Sequence, residues 1–203
     1  MHIDASKGLE YTQKSLNFLR SNRQYYSLCE FVENEADLFY NLALLSEKLN
    51  DVDIAIEYMD DSVENRIFLL NNGVADQSFQ LVLSYLSLGR WLTYCKYNFS
   101  EGRRYYRKIF EIIPLLSLNV NVCFIVYFIY ECLVENLQNE IKNIEKNLSS
   151  IKDKNKIAEL NILKENLLDE VDNYKHLLKT DDGYQNYIDW KENGGEIKQM
   201  LFK

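Results

Sequence analysis

Between residues 37 and 64 the apolar and small positions recur at helical spacing. Phe39, Leu42, Ala43 and Ser46 fall on one side of a first helix, and Ala55 and Met59 on one side of a second. Asn50-Asp51 interrupts the pattern and marks the turn. A large residue, a leucine and then a small residue at this spacing allow another helix to cross closely. The same order returns in Tyr85, Leu88, Gly89 and Leu92, followed by Gly102, Tyr106 and Pro114. The only proline of the chain thus stands where the second helix pair must close, since it cannot donate the next backbone hydrogen bond.

The remaining pattern adds helices on either side. Residues 8 to 20 carry Leu9, Leu16 and Leu19 with Tyr11 and Phe18 at helical spacing, with Ser6 as the expected N-cap. A polar break at Ser21 to Gln24 precedes a helix that begins near Tyr25 or Glu30, and the segment 71 to 78, with Asn-Asn-Gly, reads as a loop. Helices are expected over Phe79 to Tyr97 and Glu101 to Ile113, then an apolar helix over Leu118 to Asn136. Beyond it, Leu137, Ile141, Ile144, Leu148 and Ile151 form one two-helix seam and Leu160, Leu163, Leu167, Val171, Tyr174 and Leu178 a second, so the two arms fold back as a hairpin. Residues 1–178 are expected to form one helical domain with that hairpin as its cap, and residues 179–203 an extension in which Tyr184, Tyr187, Ile188 and Trp190 dock as a short helix before a mobile tail.

Composition supports long helices with short connections. The 203 residues include one Pro and seven Gly, with 47% hydrophobic and 13% aromatic residues, which suits a packed chain rather than a disordered one. A net charge of −8 argues against direct nucleic-acid binding, which wants a basic face. Cys29, Cys95, Cys123 and Cys132 form no C-x-x-C pair and His2 and His176 lie at opposite ends, so no metal and no cofactor are expected, and the thiols read as reduced. The start carries no secretory pattern, and the most apolar run, Val120 to Tyr130, is far short of the roughly 20 residues of a membrane span. No phosphate-binding loop, dinucleotide fingerprint, zinc-protease or nucleophile-elbow motif is present, so the chain is expected not to be an enzyme.

Charge is segregated along the chain. Between Glu30 and Glu64 stand eleven acids and one base, and between Arg90 and Lys108 six bases and one acid. The acidic stretch reads either as a solvated face or as a site for a Lys/Arg-rich ligand, with Glu30, Glu33, Glu35, Asp37, Asp53, Glu57, Asp60, Asp61 and Glu64 as acceptors and Tyr40 and Tyr58 packing on the apolar stems. The basic stretch reads either as an intramolecular counter-face or as a second interface through Arg90, Arg103, Arg104, Arg107 and Lys108.

The two helix pairs resemble the tetratricopeptide repeat, whose pattern runs W-x2-L-G-x2-Y, then A-x3-F, then Pro. The resemblance implies an all-α, short tetratricopeptide-like α-solenoid. Of the two-carboxylate clamp with which some such domains hold a chaperone C-terminus, only Asn41 has a counterpart. Taken whole, the chain resembles the nuclear autoantigenic sperm protein family of histone chaperones. GLEYTQKSLNFLR leading into EADLFYNLALLSEKLN is similar to the family's first two repeats, the two clear units are widely spaced, and Glu159, Leu163-Lys164-Glu165 and Leu167-Leu168 are similar to its capping helix. The chain departs from the family at Asp169, where Pro is usual, at the inserted Asn166, in lacking the long acidic insertion, and in lacking a basic run after the cap.

That resemblance implies a histone-binding chaperone, or a similar acidic adaptor for a basic protein segment, working in the nucleus or cytoplasm, with a core histone as the partner. The other expectation is a scaffold subunit docking a peptide through Arg103, Arg104 and Arg107. Self-association is left open.

Overall fold

The computed structural model describes residues 4–74, 76–116, 122–181 and 183–193. Eight α-helices account for nearly all of them, and the described residues contain no strand. The chain divides into two compact units, Met1–Trp91 with Pro114–Leu116, and Leu92–Ile113 with Ser117–Lys203. The principal helix contacts join chain neighbours, α1 (Ala5–Ser21) with α2 (Leu28–Lys48), α2 with α3 (Val52–Asn71), α5 (Phe99–Ile112) with α6 (Val122–Leu148) and α6 with α7 (Lys154–Thr180), the sequential packing expected of an α-solenoid, while α8 (Gly183–Glu192) packs on α6.

Unit 1 begins with α1, Ala5–Ser21, capped by Asp4, whose carboxylate accepts from Ser6 N at 3.1 Å. The expected cap Ser6 is therefore already inside the helix, and its backbone N–H is the group being capped. A 3-10 turn, Arg23–Tyr25, leads to α2, Leu28–Lys48. Ser27 and Glu30 close a reciprocal capping box at its start, Ser27 N–H donating to Glu30 Oε2 at 2.9 Å and Glu30 N–H to Ser27 Oγ at 3.3 Å. Asn50, at φ 63, takes the left-handed turn, and Asp51 caps α3, Val52–Asn71. Phe39, Leu42, Ala43, Ser46, Ala55 and Met59 are all buried, as the spacing predicts.

Small residues set the approach of α2 and α3. Ala36, Ala43 and Ala55 are wholly buried, and Ser62 Oγ donates to the Ala36 carbonyl across the helices at 2.8 Å. A leucine at Ala43 would overpack this contact at a cost of about 1–3 kcal/mol. Between them lies Arg66, 1% exposed, whose guanidinium donates to Asp37 Oδ1 at 2.8 Å and to Gln77 Oε1 at 2.6 Å. Gln77 in turn donates to Glu33 at 2.9 Å. Gln77 opens α4, Gln77–Tyr94, so one buried cation ties three helices together. Helix α4 buries Leu81, Val82, Tyr85, Leu88 and Trp91. It ends three residues before the expected Tyr97, because Tyr97 sits at φ 53 and Asn98 N–H turns back to the Leu92 carbonyl at 2.8 Å.

Unit 2 is built on α6. Helix α5, Phe99–Ile112, starts at the Asn98 cap and runs into the 3-10 turn Ile113–Leu115 that contains Pro114. Helix α6, Val122–Leu148, joins the expected apolar helix and the first seam arm without a break, while the expected start at Leu118 lies outside the described residues. Helix α7, Lys154–Thr180, returns along it: partners run Glu145–Lys164, Tyr130–Tyr174 and Tyr127–Asp181, descending on α6 as they ascend on α7, so the hairpin is antiparallel. Leu137, Ile141, Ile144, Leu167 and Val171 form its seam, while Leu163, at the edge of the stripe, is 39% exposed.

Helix α8, Gly183–Glu192, lies on α6 and buries Tyr187 completely. Glu131 accepts hydrogen bonds from the hydroxyls of Tyr184 and Tyr187 and from Lys191, and Phe124 packs against Tyr187 and Trp190. Most of the expected tail, residues 194–203, lies outside the described residues.

Candidate functional site

The acids of α2 are committed within unit 1. Glu30 closes the capping box, and the Ser27 hydroxyl and N–H hold its carboxyl below the usual glutamate range. Glu33 accepts from Gln77, Asp37 pairs with Arg66, and Glu35 accepts from Arg20 Nε at 2.8 Å and Asn65 at 3.2 Å. The two expected groove tyrosines also belong to the packing. Tyr40 lies under the Arg66 guanidinium, 5.7 Å from ring centroid to Cζ, with its phenol pushed up by burial, while Tyr58 stacks on Phe39 and donates to Gln13 at 3.3 Å.

The acids of α3 are arranged differently. Asp53, Glu57, Asp60, Asp61 and Glu64 follow one another at i, i+4, i+7, i+8 and i+11 on α3. They fall within about 100° of arc over about 16 Å of helix. Glu57, Asp61 and Glu64 are exposed and make no ion pair among the described residues, whereas Asp53 and Asp60 have interactions with neighbouring groups. Partial burial and the neighbouring carboxylates of Glu64, Asp60 and Glu35 push Asp61 above the usual aspartate value, against the opposing pull of Arg20. Within the stripe, the exposed carboxylates of Glu57, Asp61 and Glu64 are therefore like charges that no ion pair among the described residues neutralises.

The basic stretch is not a free face. Arg103 is 8% exposed and donates to Glu140 and to Asn136 Oδ1, the latter at 2.7 Å. Arg104 pairs with Glu101, Arg107 with Glu170, and Arg90 with Glu47 at 3.1 Å. Lys108 Nζ stands over the Tyr105 ring at 5.0 Å. An intramolecular role describes these residues, although most of their carboxylate partners come from outside the Glu30 to Glu64 stretch.

An open cleft of about 420 Å³ in unit 2 was not anticipated from the sequence. One wall is the turn from α4 to α5, with Tyr94, Tyr97 and Phe99; the other is a row on α6, Glu135, Asn139, Lys142, Asn143 and Lys146. Beneath the wall, Asn136 is wholly buried and donates to Thr93 Oγ1 at 2.6 Å and to the Phe99 carbonyl at 3.1 Å. Tyr106 bonds to the same Thr93 hydroxyl, and burial pushes its phenol upward. The legible signal was the i, i+4, i+7, i+8, i+11 spacing of Glu135, Asn139, Lys142, Asn143 and Lys146 along the polar second half of α6.

Among the described residues no three His, Cys, Asp or Glu side chains gather as metal ligands, and no helix is long and apolar enough to cross a membrane. All four cysteines are free thiols. No family model, no curated protein and no solved structure matches the chain.

Proposed function

We propose that the chain is a helical adaptor that binds a Lys/Arg-rich protein segment on the carboxylate stripe of α3, in the manner of a histone chaperone. The observation that carries the reading is the row Asp53, Glu57, Asp60, Asp61 and Glu64 on one face, with Asp61 raised by partial burial first and by the carboxylates of its neighbours second. A cationic segment laid along that face would relieve the repulsion and exchange hydrated carboxylates for charge-assisted hydrogen bonds. The partner chemistry is a basic helix or tail, and the resemblance in sequence favours that of a core histone, met in the nucleus or cytoplasm. The work is shielding and positioning, with no bond made or broken. The scaffold reading through Arg103, Arg104 and Arg107 is not favoured, because each guanidinium already has a carboxylate.

The test is a fluorescence-anisotropy titration of the full chain with a labelled core-histone tail peptide at low and moderate salt. The combined variant Glu57→Lys, Asp61→Lys, Glu64→Lys should lose at least about tenfold in affinity, and wild-type affinity should fall as salt rises. Equal affinity in the variant would reject the α3 site.

A further inference from the structure

We propose that the cleft of unit 2 is a second, independent binding site, for an extended acidic peptide segment of a partner protein. Its two walls present different chemistry. The turn from α4 to α5 offers aromatic surface: Tyr97 is 70% exposed, and its ring meets the edge of Phe99 at 6.3 Å. Tyr97 is held at φ 53, a backbone region that side chains other than glycine, asparagine and aspartate seldom adopt. The buried bonds from Asn136 to Thr93 and to the Phe99 carbonyl lock that turn from below, so the aromatic wall is fixed before any ligand arrives.

The α6 wall offers hydrogen bonds and positive charge. The side-chain amides of Asn139 and Asn143 make no hydrogen bond among the described residues. They stand one turn apart, a rise of about 6 Å, close to the two-residue repeat of about 6.6 Å in an extended chain. Each amide can therefore meet a successive outward-facing peptide group of one extended segment, donating to its carbonyl and accepting from its N–H. Lys142 and Lys146, also one turn apart, make no ion pair among the described residues. They would meet acidic side chains of that segment, while Glu135 at the other end of the row sets its direction.

The geometry disfavours other anions. Donors strung along a helix do not converge on a point as a lone phosphate requires, and a phosphodiester backbone would run onto Glu135 in a chain of net charge −8. A volume of about 420 Å³ lies in the range of small ligand sites and suits a few residues of extended chain.

The experiment uses the full chain and a fluorescein-labelled dodecapeptide alternating Glu with Ser and Val, followed by anisotropy. Saturable binding is expected, weakened about tenfold by Lys142→Glu with Lys146→Glu and several-fold by Asn139→Ala with Asn143→Ala. All four positions lie at the open cleft, so circular dichroism should stay unchanged and α3 charge reversal should leave this binding intact. Failure to bind the peptide, equal binding by the α6 variants, or full displacement by inorganic phosphate or oligothymidylate would overturn the proposal. None of these outcomes bears on the α3 site, which is probed with a basic peptide.

Discussion

Helices α3 and α6 carry polar rows of identical spacing, Asp53, Glu57, Asp60, Asp61, Glu64 on one and Glu135, Asn139, Lys142, Asn143, Lys146 on the other. Their surroundings differ. The α3 row is a run of carboxylates on one helix face. The α6 row mixes amides, cations and one acid, and faces a cleft with an aromatic wall. A row of like charge suits attraction at range and tolerates many basic partners, because screened charges discriminate poorly. A walled row with directional amides suits a defined segment, because shape and hydrogen bonds discriminate well. The same helical period thus supports two kinds of recognition, decided by what stands opposite the row.

The comparison can be broken most forcefully at Asn136. Its replacement by alanine removes the buried donor to the Thr93 hydroxyl and the Phe99 carbonyl and one acceptor of Arg103, and should cost about 3 kcal/mol. Urea denaturation would measure the loss, and hydrogen exchange should place it in unit 2. The dodecapeptide should then fail to bind while the basic peptide still binds.

A smaller effect is expected at Gly183, where a Cβ would lie 2.4 Å from the Tyr127 hydroxyl that donates to Asp181. Gly183→Ala should weaken α8 docking by about 1–2 kcal/mol, read from Trp190 fluorescence in a Trp91→Phe background. The same contact has a pH signature. The hydrogen bonds from Tyr127 and from Gly183 N–H hold the Asp181 carboxyl below its usual value, while the bond to Asp181 pushes the Tyr127 phenol up to about 12. A depressed carboxylate stabilises above its unfolded pKa and loses that contribution as pH falls through the folded one, so α8 should begin to loosen only below the ordinary aspartate range. Retention of α8 signals in Gly183→Ala, or loosening near neutral pH, would refute this anchoring.

The smallest effect sharpens the contrast from the other side. Asp61 is raised, so its ionised form opposes folding, and that cost disappears as pH drops through its folded pKa. Asp61→Asn should therefore stabilise the chain slightly at neutral pH, by less than about 0.5 kcal/mol once solvent screening of this exposed group is allowed for, and by nothing in acid, while weakening the basic peptide. A destabilised variant would mean that Asp61 serves the fold.

Much of the fold was legible because packing repeats. Phe39, Leu42, Ala43 and Ser46 fall on one stripe of α2 and Ala55 and Met59 on one stripe of α3, and all are buried. Helix ends were harder, since two oxygen-bearing residues two positions apart, Asp4 and Ser6, could each cap α1 and Asp4 does, and the α4 terminus depends on a backbone turn at Tyr97 that periodicity does not report. The acidic stretch was legible as composition but not as geometry. Charges on α2 serve capping, Arg66, Arg20 and Gln77, whereas Glu57, Asp61 and Glu64 on α3 are exposed and make no ion pair among the described residues. The sequence alone could not choose between the two readings of the basic stretch, because partners such as Glu140 and Glu170 lie 37 and 63 positions away in sequence. The cleft was hidden for the same reason: its walls come from two segments about forty positions apart, and a buried asparagine joins them.

The central claim is that the α3 carboxylates form the contact for a basic protein segment. Its most direct measurement is anisotropy of the labelled core-histone tail peptide against wild type, the α3 triple reversal, and Lys142→Glu with Lys146→Glu, across about 50 to 300 mM salt. Salt-sensitive binding to wild type and to the α6 variant, lost in the α3 variant, is predicted. Binding that ignores the α3 reversal, or that moves only with the α6 substitutions, would contradict it.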